Sequence, residues 1–224
     1  MNKLKILFLA KEKPLTEHVI ELIKLHVKDP DIKIGKLNDK FPVCLNNEYD
    51  IIISYISPWI VPYELISKTK IAAINFHPGP PEYPGIGCTN FAIYNSENEY
   101  GITVHHMEKK VDTGKIISVK RFPIFKNDTV YSLSVRCYAY IYVSFVEIFS
   151  MILLNKKLPS ANERWYRKPY TRKELNDLCK ITPDMTENET ERRVRATSFP
   201  DMPGAFVEIK GKRCKYEKGI FNRE

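Results

Sequence analysis

The sequence contains few cysteines, and no two of them lie close together. The chain has 224 residues with five cysteines, an odd total, and no Cys-x-x-Cys pair. Neither a disulfide framework nor a zinc site is therefore indicated, and we expect no metal and a reducing, cytoplasmic location. The cysteines are Cys44, Cys88, Cys137, Cys179 and Cys214.

Glycine is absent from the turn after the first predicted strand, which consists of Ala10-Lys11-Glu12-Lys13-Pro14. Dinucleotide-binding folds carry a G-x-G-x-x-G fingerprint in this turn, because glycine lets the backbone approach a pyrophosphate closely. This turn therefore gives no support to nicotinamide or flavin chemistry.

Long uncharged apolar runs are also missing. The N-terminal apolar run stops at Lys11, which is short for the roughly 7–15 apolar residues of a signal peptide. The other candidate, 130–154, contains Arg136 and Glu147, whose separation is about half of the ~20 residues that cross a bilayer. We therefore expect a first strand, a buried helix and no membrane insertion.

The composition is that of a globular protein rather than a disordered one. Hydrophobic residues make up 43% of the chain and charged residues 28%, which is enough apolar material for a core. Lys and Arg outnumber Asp and Glu by 35 to 27, a net charge of +8. This excess favours acidic partners such as phosphates, nucleotides or nucleic acid.

Apolar strands alternate with helical segments through the first part of the chain. This order predicts an α/β fold with a mostly parallel sheet that is covered on both faces. A boundary near residue 155 predicts a core over 1–155 and a small α+β tail over 156–224, with two helices and a β-hairpin that turns at Gly211. Strands are predicted at 4–9, 32–34, 51–56, 71–76, 101–107 and 115–122, and helices at 15–27 and 129–153.

Asn75 and His77 stand at the end of the predicted strand 71–76, where open α/β sheets bind their ligands. Positions i and i+2 of a strand share a face, so both side chains point the same way while Phe76 enters the core. An amide, an imidazole that is neutral near pH 7 and a carboxylate at Asp112 suit acyl transfer to an amine. A structural Asn-His pair and an ordinary Asp-Thr-Gly turn are the alternatives.

Three separated motifs give these residues a family resemblance. Segments 73–85, 101–107 and 111–117 resemble the formyltransferases that use 10-formyltetrahydrofolate, which carry Asn-x-His-Pro and a downstream Asp-Thr-Gly. The resemblance implies a Rossmann-like core, catalytic roles for Asn75, His77 and Asp112, and 10-formyltetrahydrofolate as formyl donor. His105 and His106 alternate in a strand, so a structural role is expected for them.

The run 165–175 and the short tail resemble the sugar N-formyltransferases, which act on nucleotide-linked amino sugars for surface glycans such as O-antigen. A dTDP-linked 3- or 4-amino deoxysugar is the expected acceptor. The missing glycine loop weakens glycinamide ribonucleotide as acceptor, and the stretch after Asn155 is short for the barrel of methionyl-tRNA formyltransferases. A formyltetrahydrofolate hydrolase and a nucleic-acid-binding module stay open.

The resemblance also implies binding residues and a homodimer formed through the tail hairpin. A core position for Trp59 and a solvated basic face at 156–173 are the plainer alternatives. The folate is expected on Ser57, Pro58, Trp59, Ile60, Glu108 and Val111, and the acceptor on Pro78, Gly79, Trp165, Tyr166, Arg167 and Tyr170.

Overall fold

A computed structural model describes residues 3–42, 47–200, 202–218 and 220, so Cys44 lies outside the described residues. The strands are β1 (Ile6–Lys11), β2 (Asp31–Gly35), β3 (Ile51–Tyr55), β4 (Ala72–His77), β5 (Glu99–His106), β6 (Ile116–Pro123), β7 (Phe206–Ile209) and β8 (Lys212–Lys215). The helices are α1 (Thr16–His26), α2 (Tyr63–Ile66), α3 (Cys88–Tyr94), α4 (Val130–Leu153), α5 (Arg172–Cys179) and α6 (Glu187–Thr197).

A six-stranded sheet in the order β2-β1-β3-β4-β5-β6 forms the centre of the fold. The first four strands in this order run parallel, and β5 and β6 add antiparallel at one edge. The predicted mostly parallel α/β sheet is therefore confirmed. The carboxyl ends of β1, β3 and β4 meet at one edge of the sheet, which is the edge that binds ligands in such folds.

Alternate residues of the strands enter two separate apolar layers. On one face, Phe8, Ile53 and Phe76 pack with α1 and α4, while on the other face Leu7 and Ile52 pack with α2. This division follows from the two-residue repeat of a strand, and it explains why the strands read as continuous apolar runs.

The long helix α4 packs along the sheet through residues at helical spacing. Leu133, Cys137, Ile141, Phe145 and Phe149 are each no more than 1% exposed and belong to the core. The predicted buried helix is thus confirmed in its packing. Among the described residues, α4 is also the one helix long and apolar enough to cross a membrane.

The predicted helix starts and hairpin of the tail are confirmed. Thr171 caps α5 with a reciprocal pair of hydrogen bonds to Glu174, and the Thr186 hydroxyl accepts from the Glu189 amide at the start of α6. Strands β7 and β8 pair around Lys210 and Gly211, whose positive φ angles of 48° and 75° suit a tight hairpin turn.

The tail packs closely on the core across the predicted boundary at residue 155. The Asn90 amide of α3 donates to the Ala196 carbonyl of α6 at 2.8 Å, and the Tyr94 hydroxyl donates to Glu189 at 2.8 Å. Leu178 and Ala196 are buried within the main core. A smaller apolar cluster around Ile181 joins the hairpin to the tail helices.

Candidate active site

The end of β4 presents two polar side chains on one face. Asn75 is partly exposed and His77 is buried, while Phe76 between them is 1% exposed in the opposite apolar layer. The alternation predicted from the strand period is therefore confirmed. Pro78 follows immediately and favours extended backbone at His77. This backbone restriction, together with packing, fixes the direction of the imidazole.

Asp112 reaches the same place from the turn after β5. Its φ of 47° lies in the left-handed region, which carboxylates and amides tolerate better than most side chains. Oδ2 accepts from the Gly85 amide at 2.7 Å, and Oδ1 lies 3.4 Å from Asn75 Nδ2. The structure therefore joins Asn75, His77 and Asp112, which are separated by up to 37 positions in the chain.

His105, for which a structural role was expected, is a fourth member of this network. The antiparallel register of β4 and β5 pairs Asn75 with His105 directly. Its Nε2 lies 3.0 Å from Asn75 Nδ2 and 3.2 Å from Asp112 Oδ1, while Nδ1 donates to the His106 carbonyl at 2.8 Å. The predicted alternation of His105 and His106 holds, but the buried ring contacts both the amide and the carboxylate.

The two ring nitrogens of His77 both face acceptors. Nε2 donates to the Tyr83 carbonyl at 3.0 Å, and Nδ1 lies 3.4 Å from Asp112 Oδ2. A ring with an N–H on both nitrogens would therefore donate to both acceptors. Burial opposes the charge, but the Asp112 carboxylate outweighs it and raises the pKa of His77 above its usual range. The pair with Asp112 therefore favours the protonated ring, whereas the free value of histidine favours the neutral imidazole that was expected near pH 7.

The same pair affects the carboxylate in the opposite direction. Burial raises the pKa of Asp112, but the positive charge of His77, the hydrogen bond from His105 and the Gly85 amide together hold it below its usual range. A carboxylate and an imidazole that each favour the charged form of the other thus lie together beside a partly exposed amide. Such strongly perturbed groups in a cleft are typical of functional sites.

The segment that connects α4 to α5, residues 156–171, crosses the network. Its Trp165 donates from Nε1 to the Gly114 carbonyl at 2.8 Å, and its ring packs edge-on against His105 with centroids 4.9 Å apart. A Cβ at position 114 would collide with the His106 carbonyl oxygen. The glycine of Asp-Thr-Gly therefore lets this turn lie close to the end of β5. Trp165 thus packs against the network through His105, and its contact with an acceptor stays a prediction.

The other residues of the predicted acceptor run divide into covered and exposed ones. Tyr170 lies between Phe91, stacked at 3.8 Å, and the Arg167 guanidinium, 3.1 Å from the ring centroid. Both faces of the ring are therefore occupied, which leaves no face for a nucleobase. Arg167 also pairs with Glu174 at 2.9 Å, whereas Tyr166 is 58% exposed.

Gly79 is buried and has a different position from the one expected. Its carbonyl accepts from the Thr103 hydroxyl at 2.8 Å, and a Cβ there would lie 2.8 Å from His77 Nε2. It allows the imidazole to pack closely, and it is not among the residues that line the cavity over the network.

A cavity of about 620 Å³ opens over the network at the sheet edge. All six residues predicted to hold the folate line it, together with Pro78 and Tyr170, whereas Gly79, Trp165, Tyr166 and Arg167 do not. The cavity is of the size that small-molecule sites have, and an apolar wall beside a few polar groups suits a planar ring with polar edges. The residues lining it are Lys11, Ser54, Ile56, Ser57, Pro58, Trp59, Ile60, Val61, Ile66, Asn75, Phe76, His77, Pro78, Gly85, Ile86, His105, Met107, Glu108, Lys110, Val111, Asp112, Pro169, Tyr170, Thr171 and Arg172.

Trp59 combines the two roles that the sequence left open. Its ring packs over Gly35, with Phe41 at 6.3 Å, and Nε1 donates to the Asp39 carbonyl at 3.1 Å. It therefore belongs partly to the apolar layer on the α2 face. The same residue also lines the cavity.

An amide, an imidazole and a carboxylate joined at the end of a parallel strand, beside a cavity, define an α/β site suited to acyl transfer. Residues 43–145 match the formyl transferase family. The match spans β3 to most of α4, and so includes every member of the network.

A relative found by sequence is also named for formyl transfer. The chain is 30% identical over 168 residues to the GDP-perosamine N-formyltransferase of Brucella melitensis biotype 1, covering 75% of this chain and 64% of the relative. The chain thus spans less than two thirds of that relative's length.

Two solved structures share the fold. A sugar N-formyltransferase from a Shewanella species superposes with a TM-score of 0.78 at 20% identity, covering 95% of this chain and 96% of that one. An N-formyltransferase from Helicobacter canadensis, in complex with folinic acid and dTDP-3-aminofucose, superposes at 0.72 with 22% identity, covering 94% and 86%.

Proposed function

We propose that this protein is a sugar N-formyltransferase. It transfers the formyl group of 10-formyltetrahydrofolate to the amine of a nucleotide-linked 3- or 4-amino deoxysugar, most simply a dTDP-linked one. The observation that carries the proposal is the joined Asn75, His77 and Asp112 network at the mouth of the cavity, within the segment that matches the formyl transferase family.

Asn75 and His77 stabilise the charge that develops during transfer. Attack of an amine on a formyl carbon places negative charge on the formyl oxygen, and preorganised N–H donors lower the energy of that state. Asn75 supplies a partly exposed amide, and the His77 imidazolium supplies a positive charge that Asp112 holds in place. One N–H of His77 leaves its protein acceptor and donates its proton to the leaving nitrogen, and the ring then accepts a proton from the attacking amine, so protons balance.

The formyl donor fits the cavity by the chemistry of its lining. Ser57 and Glu108 offer polar atoms for the edges of a pterin, and Trp59 and Val111 offer apolar surface for its face. When bound, 10-formyltetrahydrofolate supplies an activated formyl group on nitrogen. The side chains of this wall orient it against Asn75 and His77.

The names of related proteins support an amino sugar as acceptor. A relative is named for GDP-perosamine, and structures of the same fold were solved with dTDP-3-aminofucose or with dTDP and 5-N-formyl-THF. The product would enter a surface glycan such as O-antigen. We also propose that the enzyme is a cytoplasmic homodimer without membrane insertion, in which the exposed edge of the tail hairpin offers a pairing surface.

A hydrolase that releases formate would share the donor site and the network. Formate release without any amine distinguishes it, because a transferase needs the acceptor for turnover. Glycinamide ribonucleotide and methionyl-tRNA are the other acceptors of formyltransferases, and a nucleic-acid module would bind RNA in a steeply salt-dependent manner without transferring formyl.

The test is an assay of the purified full chain with 10-formyltetrahydrofolate and a panel of dTDP-, UDP- and GDP-linked amino sugars. Glycinamide ribonucleotide, methionyl-tRNA and water alone complete the panel. We expect one amino sugar to gain a single CO unit in mass, with stoichiometric loss of the formyl donor. Formate release without acceptor, or transfer only to tRNA or to the ribonucleotide, would overturn the proposal.

A further inference from the structure

A second cavity of about 460 Å³ lies beside the one over the network. The two share Lys11, Ile56, Pro78, Ile86 and Arg172, so they form one continuous depression divided by these side chains. The second cavity lies between the turn after β1, the start of α3, helix α5 and the tail hairpin. We call it the tail cavity.

Four cationic side chains line the tail cavity: Lys11, Lys13, Arg172 and Arg213. No carboxylate is among the described residues that line it, and none of the four forms an ion pair within the described part of the chain. Elsewhere in the described chain, Arg side chains form ion pairs with Asp or Glu, as Arg121 does with Glu82 and Glu163.

The positive charges of Lys13 and Arg172 act against that of Lys11, whereas Arg213 has Glu208 opposite it in the hairpin. Lys11 is half-buried, and burial together with the charges of Lys13 and Arg172 lowers its pKa. Repulsion of this kind is relieved by a bound anion, and charge-assisted hydrogen bonds from Lys and Arg to phosphate are among the stronger ones in proteins. The cluster therefore indicates an anionic ligand that carries more than one charge.

The remaining wall of the tail cavity is apolar and partly aromatic. It includes Tyr138 of α4, which Lys13 covers at 5.7 Å, and Phe206 of β7, which Arg213 covers at 4.4 Å. Phe199 and Met202 complete this side. A planar group beside an anion matches such a surface better than a free inorganic phosphate does.

We propose that the tail cavity binds the nucleoside diphosphate of the acceptor. Its phosphates contact Lys11, Arg172 and Arg213, and its base and ribose lie on the apolar wall. This inference rests on the proposed function and names a subsite for its acceptor. It replaces the predicted base-stacking role of Trp165 and Tyr170, whose rings are engaged by His105, Phe91 and Arg167.

The shared wall explains how such an acceptor would reach the chemistry. Pro78 lines both cavities and directly follows His77, so a sugar attached to the diphosphate extends past Pro78 toward the imidazolium and Asn75. The folate wall at Ser57–Ile60 lies in the other cavity only. Donor and acceptor therefore approach the network from two sides.

The experiment measures binding of dTDP, UDP, GDP and inorganic pyrophosphate to the full chain by titration calorimetry, without folate. The variants are Arg172→Ala and Arg213→Ala, both at exposed positions, and the controls are the adjacent exposed lysines, Lys173→Ala and Lys212→Ala. Loss of a charged hydrogen bond predicts roughly 10- to 100-fold weaker binding of one nucleotide for each arginine variant. Each lysine variant retains wild-type affinity, and a nucleotide binds more tightly than pyrophosphate.

Thermal unfolding of each variant checks that the fold is intact. Wild-type affinity in both arginine variants, equal losses in the lysine controls, or no nucleotide binding by the wild-type chain would overturn the inference. Loss of affinity in Tyr166→Ala with intact binding in both arginine variants would place the nucleotide on the predicted run instead. If nucleotide binding depends on both arginines but no amino sugar is formylated, the anion site is supported and the proposed function is contradicted.

Discussion

His77 and Asp112 form an ion pair in the protein interior. Nδ1 of the imidazole lies 3.4 Å from Oδ2 of the carboxylate, and the two side chains are 5% and 3% exposed. A buried pair of charges contributes little net stability, because desolvation of both groups offsets their attraction. Its position at the mouth of a cavity is better explained by the charge that it keeps beside Asn75.

Replacement of His77 by Asn should abolish most activity while the fold remains. Removal of a group that moves protons typically costs about 10²- to 10⁴-fold in turnover. Initial rates with 10-formyltetrahydrofolate and the accepted amino sugar measure the effect, and circular dichroism checks folding. His106→Asn changes the neighbouring histidine at the end of β5 and serves as the matched control. Near-wild-type turnover in His77→Asn would remove this residue from the mechanism.

Replacement of Asn75 by Ala tests the oxyanion donor. Loss of one such donor costs about 10²- to 10³-fold in kcat, because the interaction forms mainly in the transition state. We expect KM for both substrates to change much less than kcat. An equal rise of KM without loss of kcat would show that Asn75 binds substrate and does not stabilise the transition state.

The raised pKa of His77 predicts a stability that depends on pH. Above the ordinary histidine value of 6.5, the folded chain holds a proton that the unfolded chain has lost, so the free energy of unfolding falls as pH rises toward the raised pKa. The slope approaches about 1.4 kcal/mol per pH unit for one proton. The lowered pKa of Asp112 contributes stability that is lost only on acidification.

Asp112→Asn isolates this effect because it removes the carboxylate that keeps His77 charged. Urea unfolding at several values between about pH 6 and 9 should show a shallower decline for the variant than for the wild-type chain. The difference between the two curves matters, since other titrating groups affect both alike. Parallel curves would mean that Asp112 does not hold the proton on His77.

Trp165 is expected to act as a positioning residue. Trp165→Ala removes the hydrogen bond to the Gly114 carbonyl and the ring edge against His105, whereas Trp165→Phe keeps an aromatic ring there. We expect Ala to lower kcat with little change in KM and to shift the alkaline limb of the pH profile of kcat. Phe should recover most of both properties, and a rise in acceptor KM alone would restore the predicted binding role.

Local sequence rules determined the strands, most of the helices other than α2 and α3, and one half of the site. The period of two in the strand at 71–76 aligned Asn75 with His77, and capping residues and the turn at Gly211 marked the tail helices and hairpin. These features depend on residues only a few positions apart. The folate wall at Ser57–Ile60 and Glu108–Asp112 came from the family resemblance, and its residues surround one cavity.

Only the tertiary structure decided which distant groups meet. The antiparallel register of β4 and β5 brought His105 against Asn75, and the Asp112 carboxylate raised the pKa of His77 despite the burial of the ring. The tail cavity joins residues near both ends of the chain. Sequence patterns report the periodicity of neighbours along the chain, whereas protonation and cavity shape depend on contacts that form when separate segments pack together.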